Sequence, residues 1–515
     1  MSEPGPSSQA TRRGPWLKKH VLTFDGGGVR GYYSLLFILR LMQYIGKEEN
    51  RLGMAHENNA DTPGANEKRI TSFYPCDEPN NLSHLDDNEY TPFLPCHYFD
   101  YIAGTSTGGL IAIMLGRFRM TVEDCIHEYR TLLGKVFGRP RFFHHLNSGL
   151  PWCKYNTGNF EKVIKDVVVR RVEKGRNDLP NARFDTESGL CRVLVIANMT
   201  ESKGVLTETR LFRSYEIKMS PELGPRSRQI TFTRALSDLR DEHGGKSGDF
   251  CIWQVARATT AAPMYFRPLK LMTDGNTARG RTNSQPPNHN NTAVPHRRHV
   301  ETLEDGGLGP ANNPSNLTYD ELKKQMHNTD MKVGTLVSIG TARPMEQPSG
   351  PRILRVVKSV VSRYGDPEPT HWRMEQKAQE DPSFLYYRFN EPLKLSGVDM
   401  DDWKPRKTGI NTIETMTNAF NSSVSEPDMV DYMQACAREL VEARRARVDE
   451  DPAKWNRYAL GRYFECGIEG CPDDFERETK EENFIAHLRN RHNMDDDEIN
   501  AALRDCSGQW TYRGR

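Results

Sequence analysis

The sequence has no run near the ~18 consecutive apolar residues needed to cross a membrane, so any lipid contact is left to an interface. It also lacks an excess of charge of either sign. Its 70 Lys and Arg against 69 Asp and Glu leave a formal net charge of +1, and nothing in that balance calls for a highly charged partner. Ten cysteines are scattered through the chain without a dense disulfide framework, and the N-terminal stretch has no apolar signal core. Reduced thiols and a cytoplasmic location are therefore the expectation. No segment has the oxygen-rich ligand spacing of a calcium loop. With 36% hydrophobic and 27% charged residues over 515 positions, a globular protein with one large core and a smaller second unit is expected.

The chemistry is concentrated in three glycine-bearing stretches. In the first, His97 to Leu110, H-Y-F-D-Y-I-A-G-T-S-T-G-G-L, residues Phe99 to Ala103 read as a short buried strand and Gly109 onward as an apolar helix. Gly104-Thr105-Ser106-Thr107-Gly108 fits G-x-S-x-G at the turn between them, which makes Ser106 the candidate nucleophile. Gly104 and Gly108 suit an elbow where the backbone is strained and helix and strand pack too closely for a Cβ. The second stretch, V-L-T-F-D-G-G-G-V-R-G from Val21, runs an apolar strand into Gly26, Gly27 and Gly28 ahead of a helix over Tyr32 to Ile45. Bare N–H groups at a helix start suit an oxyanion or a phosphate, and Arg30 adds a positive charge nearby; a simple glycine turn is the alternative. The third, E-D-G-G-L-G-P-A-N-N-P from Glu304, lies about 200 residues beyond the serine and places Asp305 before two glycines. Alone, D-G-G is a common turn spelling.

In the order D-G-G-G-x-R-G, G-x-S-x-G, D-G-G, these stretches resemble the patatin-like phospholipase family. Further pieces follow in the right order: Val193 to Ala197, Leu211 to Tyr215, Ala256 to Phe266 and Leu336 to Thr341. The likeness covers roughly Lys18 to Thr341 and continues more weakly to about Trp403. It implies an α/β fold, a three-layer α/β/α sandwich of patatin type, with Ser106 as nucleophile and Asp305 as base, no histidine, and no cofactor for catalysis. Gly26, Gly27, Gly28 and Arg30 would then form the oxyanion hole. An ordinary α/β-hydrolase would place a histidine after the acid. Of those after Asp305, His327 and His371 stand in contexts that suggest surface or packing roles, and His487 and His492 look committed to a metal.

Along the chain, residues 1–17 read as a polar arm, 18–345 as the hydrolase, 346–460 as a helical extension packed on it, and 461–515 as a zinc-finger-like segment and tail. Polar insertions are expected at about 47–90 and 272–300, the second ending in His296-Arg297-Arg298-His299. The aromatic and basic stretch Phe137 to Trp152 is either an access lid or a packing loop. Arg352 to Tyr364 has helical apolar spacing with basic residues outside, which suits core packing or an anionic membrane. Met429 to Val448 reads as a long bracing helix, with Tyr432, Cys436, Leu440 and Val441 on one side and the charges of E-A-R-R-A-R on the other.

The last segment carries C-x4-C-x15-H-x4-H, made by Cys466, Cys471, His487 and His492. Two thiolates and two imidazoles at this spacing can close a tetrahedral Zn2+ site, and so small a unit needs the metal to fold. Phe475 and Phe484 stand where apolar residues pack around the metal of a C2H2 zinc finger, which the segment resembles, although that finger usually separates its second cysteine and first histidine by ~12 residues. A single finger reads only ~3 base pairs and this helix offers few base readers, so nucleic acid is not expected; a structural or protein-docking finger is.

Two classes of function follow. One is an acyl hydrolase of phospholipase A or lysophospholipase type, acting on a lipid ester with transient membrane-surface contact, or an acyltransferase using the same acyl-enzyme. The other is a scaffold whose finger and insertions recruit a protein partner. Intact Ser106, Asp305 and glycines favour the first.

Overall fold

The computed structural model describes residues 14–57, 93–141, 153–172, 179–186, 189–200, 207–216, 250–273, 299–342, 365–391, 393–395 and 397–460, and, of the C-terminal segment, 462–464, 466, 471, 481–499, 501 and 507–509. Its centre is a sheet of β1 (Lys18–Phe24), β2 (Tyr101–Thr105), β3 (Arg192–Thr200), β4 (Thr207–Arg213), β5 (Leu269–Thr273), β6 (His299–Asp305), β7 (Lys332–Ile339) and β8 (Leu385–Phe389). The helices α1 (Gly31–Glu57), α2 (Pro95–Tyr98), α3 (Thr107–Ala112), α4 (Val122–Phe137), α5 (Thr157–Arg171), α6 (Ile252–Thr259) and α7 (Ser315–Met326) are threaded between the strands.

Successive side chains of a strand point to opposite faces, and here both faces are covered. Leu22, Phe24, Ile102, Val193, Val195, Val337 and Ile339 pack with α1, α3, α4, α5 and α6 in the main core. Their neighbours Val21, Tyr101 and Leu336 meet α7 and the helix Glu368–Glu380, and Ala103, Leu194 and Ile196 meet Leu317 of α7. The result is the three-layer α/β/α sandwich that the resemblance implies. Double coverage is also why these strands read as nearly unbroken apolar runs.

One feature of the pairing positions the site. β3 pairs with β2 over residues 192–196, with β6 over 197–200, and with β4 over 194–200. Because β4 faces both of the other stretches, it occupies one edge of β3, and β2 and β6 succeed one another along the other. β2 runs parallel to β3 and ends at Thr105 opposite Ile196; β6 runs antiparallel and ends at Asp305 opposite Ala197. Two strands distant in sequence therefore meet head to head at their C-terminal ends.

Several expectations need correcting. Within the supposed arm, Trp16 is buried against Trp455 and Tyr458. The stretch from Lys47 begins as helix, since α1 continues to Glu57. Its polar residues belong there because Glu49 is buried and accepts from Arg444, Arg445 and Tyr98. The segment 346–460 is not purely helical: β8 pairs with β7 from Thr335↔Leu385 to Ile339↔Phe389 and extends the sheet. Five residues are too few for the sequence to show a period. The bracing helix is Pro427–Glu450, but its arginine run is not a solvated face. Arg444 binds Glu49, and Arg447 binds Asp100 at 2.7 Å, both buried. Tyr432 is conversely 37% exposed. Residues 1–13, 58–92, 142–152, 274–298 and 343–364 lie outside the described residues, and with them the insertion bodies, most of the aromatic stretch and the amphipathic segment from Arg352.

Candidate active site

Ser106 sits between β2 and α3 with φ 55° and ψ −128°, a left-handed backbone that costs a residue other than glycine about 1–3 kcal/mol. The flanking glycines make this geometry sterically feasible. A Cβ on Gly104 would lie 2.1 Å from the Gly108 carbonyl oxygen, and one on Gly108 would lie 2.4 Å from that of Phe24. The strained turn aims the serine hydroxyl across the seam, where Ser106 Oγ donates to Asp305 Oδ2 at 2.6 Å.

Asp305 is held on every side. Its other oxygen accepts the Gly307 N–H at 2.8 Å, its backbone carbonyl accepts from Asn198 Nδ2 at 3.0 Å, and its own N–H donates to the Ala261 carbonyl at 3.2 Å. Burial pushes its carboxyl up from 3.8 to about 6, against the opposing pull of the Ser106 hydroxyl, the Gly307 N–H and the Arg257 guanidinium. Near neutral pH it is an ionised base whose proton affinity is raised. Among the described residues no histidine hydrogen-bonds to Ser106 or Asp305. His371 instead contacts Tyr386 and Glu375, and His327 ends α7.

The glycine loop after β1 closes the third side. A Cβ on Gly26 would stand 3.0 Å from Ser106 Cβ and 2.5 Å from Asn312 Oδ1, so the loop lies directly against the nucleophile. The four residues singled out in it are not equivalent. The Gly26 N–H is already donated to the Asn312 carbonyl at 3.1 Å. Arg30 is buried and turns its Nε back to the Gly27 carbonyl at 3.4 Å. Among the described residues the N–H groups of Gly27 and Gly28 have no acceptor, and Gly28 has φ 61°.

Two contributors were not evident from the sequence. Asp25 forms a buried bidentate ion pair with Arg388 of β8, at 3.0 and 2.6 Å, and Arg388 also donates to Ser338 Oγ at 2.7 Å. A lone arginine in L-Y-Y-R-F gives no spacing signal. The loop after Asp305 joins the other two: Thr105 Oγ1 donates to the Ala311 carbonyl at 2.6 Å, and the Asn312 carbonyl accepts the Gly26 N–H at 3.1 Å. The D-G-G spelling marked a turn without showing that the residues after it tie three loops together.

A second cluster lies in the C-terminal segment. The helix Glu481–His492 carries both histidines, and β9 (Arg462–Phe464) pairs antiparallel with β10 (Ser507–Gln509). One ligand atom from each of Cys466, Cys471, His487 and His492 falls within 4.8 Å of all the others. Cys466 Sγ is 3.4 Å from His492 Nε2, Cys471 Sγ is 3.6 Å from His487 Nε2, and the two Nε2 atoms are 3.3 Å apart. A tetrahedral zinc with bonds of ~2.3 Å to sulfur and ~2.0 Å to nitrogen sets S···N edges of about 3.5 Å and N···N edges of about 3.3 Å, so the donor set fits that ion. Phe484, Leu488 and Ile499 form a small core beside it. Phe475 is outside the described residues.

Residues 85–317 match the family model described as Patatin-like phospholipase, a span that includes Ser106 and Asp305 but begins after the glycine loop. The chain is 23% identical over 402 residues to the mouse calcium-independent phospholipase A2-gamma, covering 77% of this chain and 38% of that protein. The human protein of the same name is 25% identical over 393 residues, 75% of this chain and 36% of that one. An Arabidopsis thaliana protein named "Probable inactive patatin-like protein 9" is 25% identical over 346 residues, 62% of this chain and 67% of its own length. The chain thus spans little more than a third of the mammalian relatives. Among the described residues no helix is long and apolar enough to cross a membrane.

Proposed function

We propose that this chain is a serine acyl hydrolase of phospholipase A or lysophospholipase type, working through Ser106, Asp305 and an acyl-enzyme. The observation that carries this reading is the 2.6 Å hydrogen bond from Ser106 Oγ to a buried carboxylate, with no histidine between them. In the reaction, Ser106 Oγ attacks the ester carbonyl carbon as its proton passes to Asp305 Oδ2. The unpartnered N–H groups of Gly27 and Gly28 hold the oxyanion. Collapse breaks the carbonyl carbon to alkoxy oxygen bond, and Asp305 returns the proton to the departing alcohol. Water, deprotonated by the same carboxylate, then attacks the acyl carbon; the bond to Ser106 Oγ breaks, Asp305 returns the proton to Oγ, and the fatty acid is released. Gly26 braces the loop through Asn312, and Arg30 stiffens it through Gly27.

The names of the mammalian relatives and of the matching family support a lipid ester as substrate. A relative named as probable inactive makes the intact pair matter: a scaffold would have no need of a raised carboxylate bonded to a strained serine. Contact with the lipid would be peripheral, from the cytoplasm. Cys466, Cys471, His487 and His492 would hold a structural Zn2+ that folds the C-terminal segment into a docking surface for a protein partner and takes no part in catalysis.

The test is release of fatty acid from vesicles of phosphatidylcholine, lysophosphatidylcholine or diacylglycerol by the purified chain, with Ser106→Ala as control. Ser106-dependent release from any of the three is expected. Equal release by wild type and Ser106→Ala from all three would overturn the reading.

A further inference from the structure

The segment Ala256 to Phe266 has no place in the reaction just described, although it reaches both members of the Ser106 and Asp305 pair. α6 ends at Thr259, a fully buried residue. The Thr259 hydroxyl accepts the backbone N–H of Ser106 at 2.8 Å and donates to the carbonyl of Ile196 at 2.5 Å. Ile196 lies opposite Thr105 at the seam, and its neighbour Ala197 opposite Asp305. Two residues after Thr259, the Ala261 carbonyl accepts the Asp305 N–H at 3.2 Å.

We infer that the turn Thr259–Ala261 is the clamp that fixes the separation of nucleophile and base, with Thr259 as the positioning side chain. The inference rests on the proposed Ser106 and Asp305 reading and adds to it how the pair is held. Ser106 is in a backbone conformation that relaxes unless its surroundings over-determine it. Its hydroxyl reaches Asp305 from one side, its N–H is gripped by Thr259 from the other, and Thr105 anchors the preceding residue to Ala311. Of these holds, the Thr259 hydroxyl alone bonds both to the nucleophile's own backbone and to the strand at which the two chain ends meet.

Thr259 is a suitable residue for this. It is β-branched and so stiff at χ1, and its hydroxyl can accept and donate at once. It is fully buried and spends both hydrogen bonds on backbone groups, so it acts through Ser106 as a positioning residue. Because the Ser106 N–H is occupied by Thr259, that group is removed from the oxyanion donors, consistent with the role assigned to the glycine loop.

Thr259→Val keeps the shape and removes the bonds to the Ser106 N–H and the Ile196 carbonyl; Thr259→Ser keeps the hydroxyl. The measurements are the rate of covalent labelling by a fluorophosphonate ester, normalised to folded protein by circular dichroism, and kcat and KM for a p-nitrophenyl acyl ester. A misplacement of the nucleophile by the better part of an ångström costs on the order of 10- to 100-fold. The clamp predicts a fall of that size in labelling rate and kcat for Thr259→Val, little change in KM, and recovery to within a few fold of wild type for Thr259→Ser. Thr259→Val that unfolds at lower temperature yet labels at the wild-type rate per folded molecule would show a merely structural threonine and overturn the clamp. If Thr259→Val does not fold, Thr259→Ser decides through its own labelling: near wild-type rate supports the clamp, and a loss as deep as that of Ser106→Ala overturns it. Wild type that fails to label on Ser106 would sink the nucleophile reading itself, a result distinct from either.

Discussion

Asp305→Asn is expected to cut activity severely and at the same time to remove a pH-dependent cost to stability. Burial raises the Asp305 carboxyl from 3.8 to about 6, so keeping it ionised in the folded protein disfavours the fold. The unfolded chain releases this proton near pH 4 and the folded chain near pH 6. Between those values the folded state binds more protons, and stability falls as pH rises; above about pH 7 the loss levels off. At 1.36 kcal/mol per pH unit of separation, the full loss is about 3 kcal/mol, of which about 2 kcal/mol develops between pH 4 and pH 8. Asparagine cannot ionise and escapes this dependence, while a poorer bond to the Ser106 hydroxyl or the Gly307 N–H costs a roughly pH-independent ~1 kcal/mol. The assay is urea unfolding of wild type and Asp305→Asn at both pH values. The wild-type minus variant difference should move by about 2 kcal/mol in the variant's favour from pH 4 to pH 8, while hydrolysis falls by about 10²- to 10⁴-fold. Parallel pH dependence of the two proteins would refute the buried, raised carboxylate on which the mechanism depends.

Other substitutions probe the scaffold. Gly108→Ala should abolish labelling of Ser106, because the new Cβ would stand 2.4 Å from the Phe24 carbonyl oxygen and push the elbow out of line. Arg388→Met leaves Asp25 buried without its partner and should destabilise by about 3–5 kcal/mol, read by thermal or urea unfolding; an unchanged midpoint would remove Asp25 and Arg388 from the account of the glycine loop. Purified chain should carry one equivalent of zinc by elemental analysis. Chelation or Cys466→Ser should speed proteolysis after about Tyr463 while leaving Ser106 labelling intact, and unchanged cleavage there would count against the metal.

The parts of the fold most legible in sequence were those with local signatures. Val21 to Phe24 and Tyr101 to Ala103 read as apolar strands because both of their faces are covered. Gly104 and Gly108 betray a close approach that forbids a Cβ. Less legible was whatever depends on partners far away in the chain. Glu49, Arg444 and Arg447 look like solvated charges until the helix Pro427–Glu450 is laid against α1, where Arg444 meets Glu49, and against the start of β2, where Arg447 meets Asp100. β8 is too short for a period to show, and its Arg388 could not be matched with Asp25, 363 residues away. In the glycine loop, composition made Gly26, Gly27 and Gly28 look equivalent, and only the neighbouring Asn312 carbonyl separates the first from the other two. The four metal-binding candidates were readable because their spacing is itself the signal.

The most direct test of the central claim is fluorophosphonate labelling of the purified chain, mapped by peptide mass spectrometry and followed from pH 5 to pH 8. A single adduct on Ser106 is predicted, absent in Ser106→Ala and strongly slowed in Asp305→Asn, with a wild-type rate that rises about tenfold from pH 5 to pH 7 as Asp305 ionises near pH 6 and then levels off. Labelling that persists in Ser106→Ala, or wild type that remains unlabelled at pH 8, would contradict it.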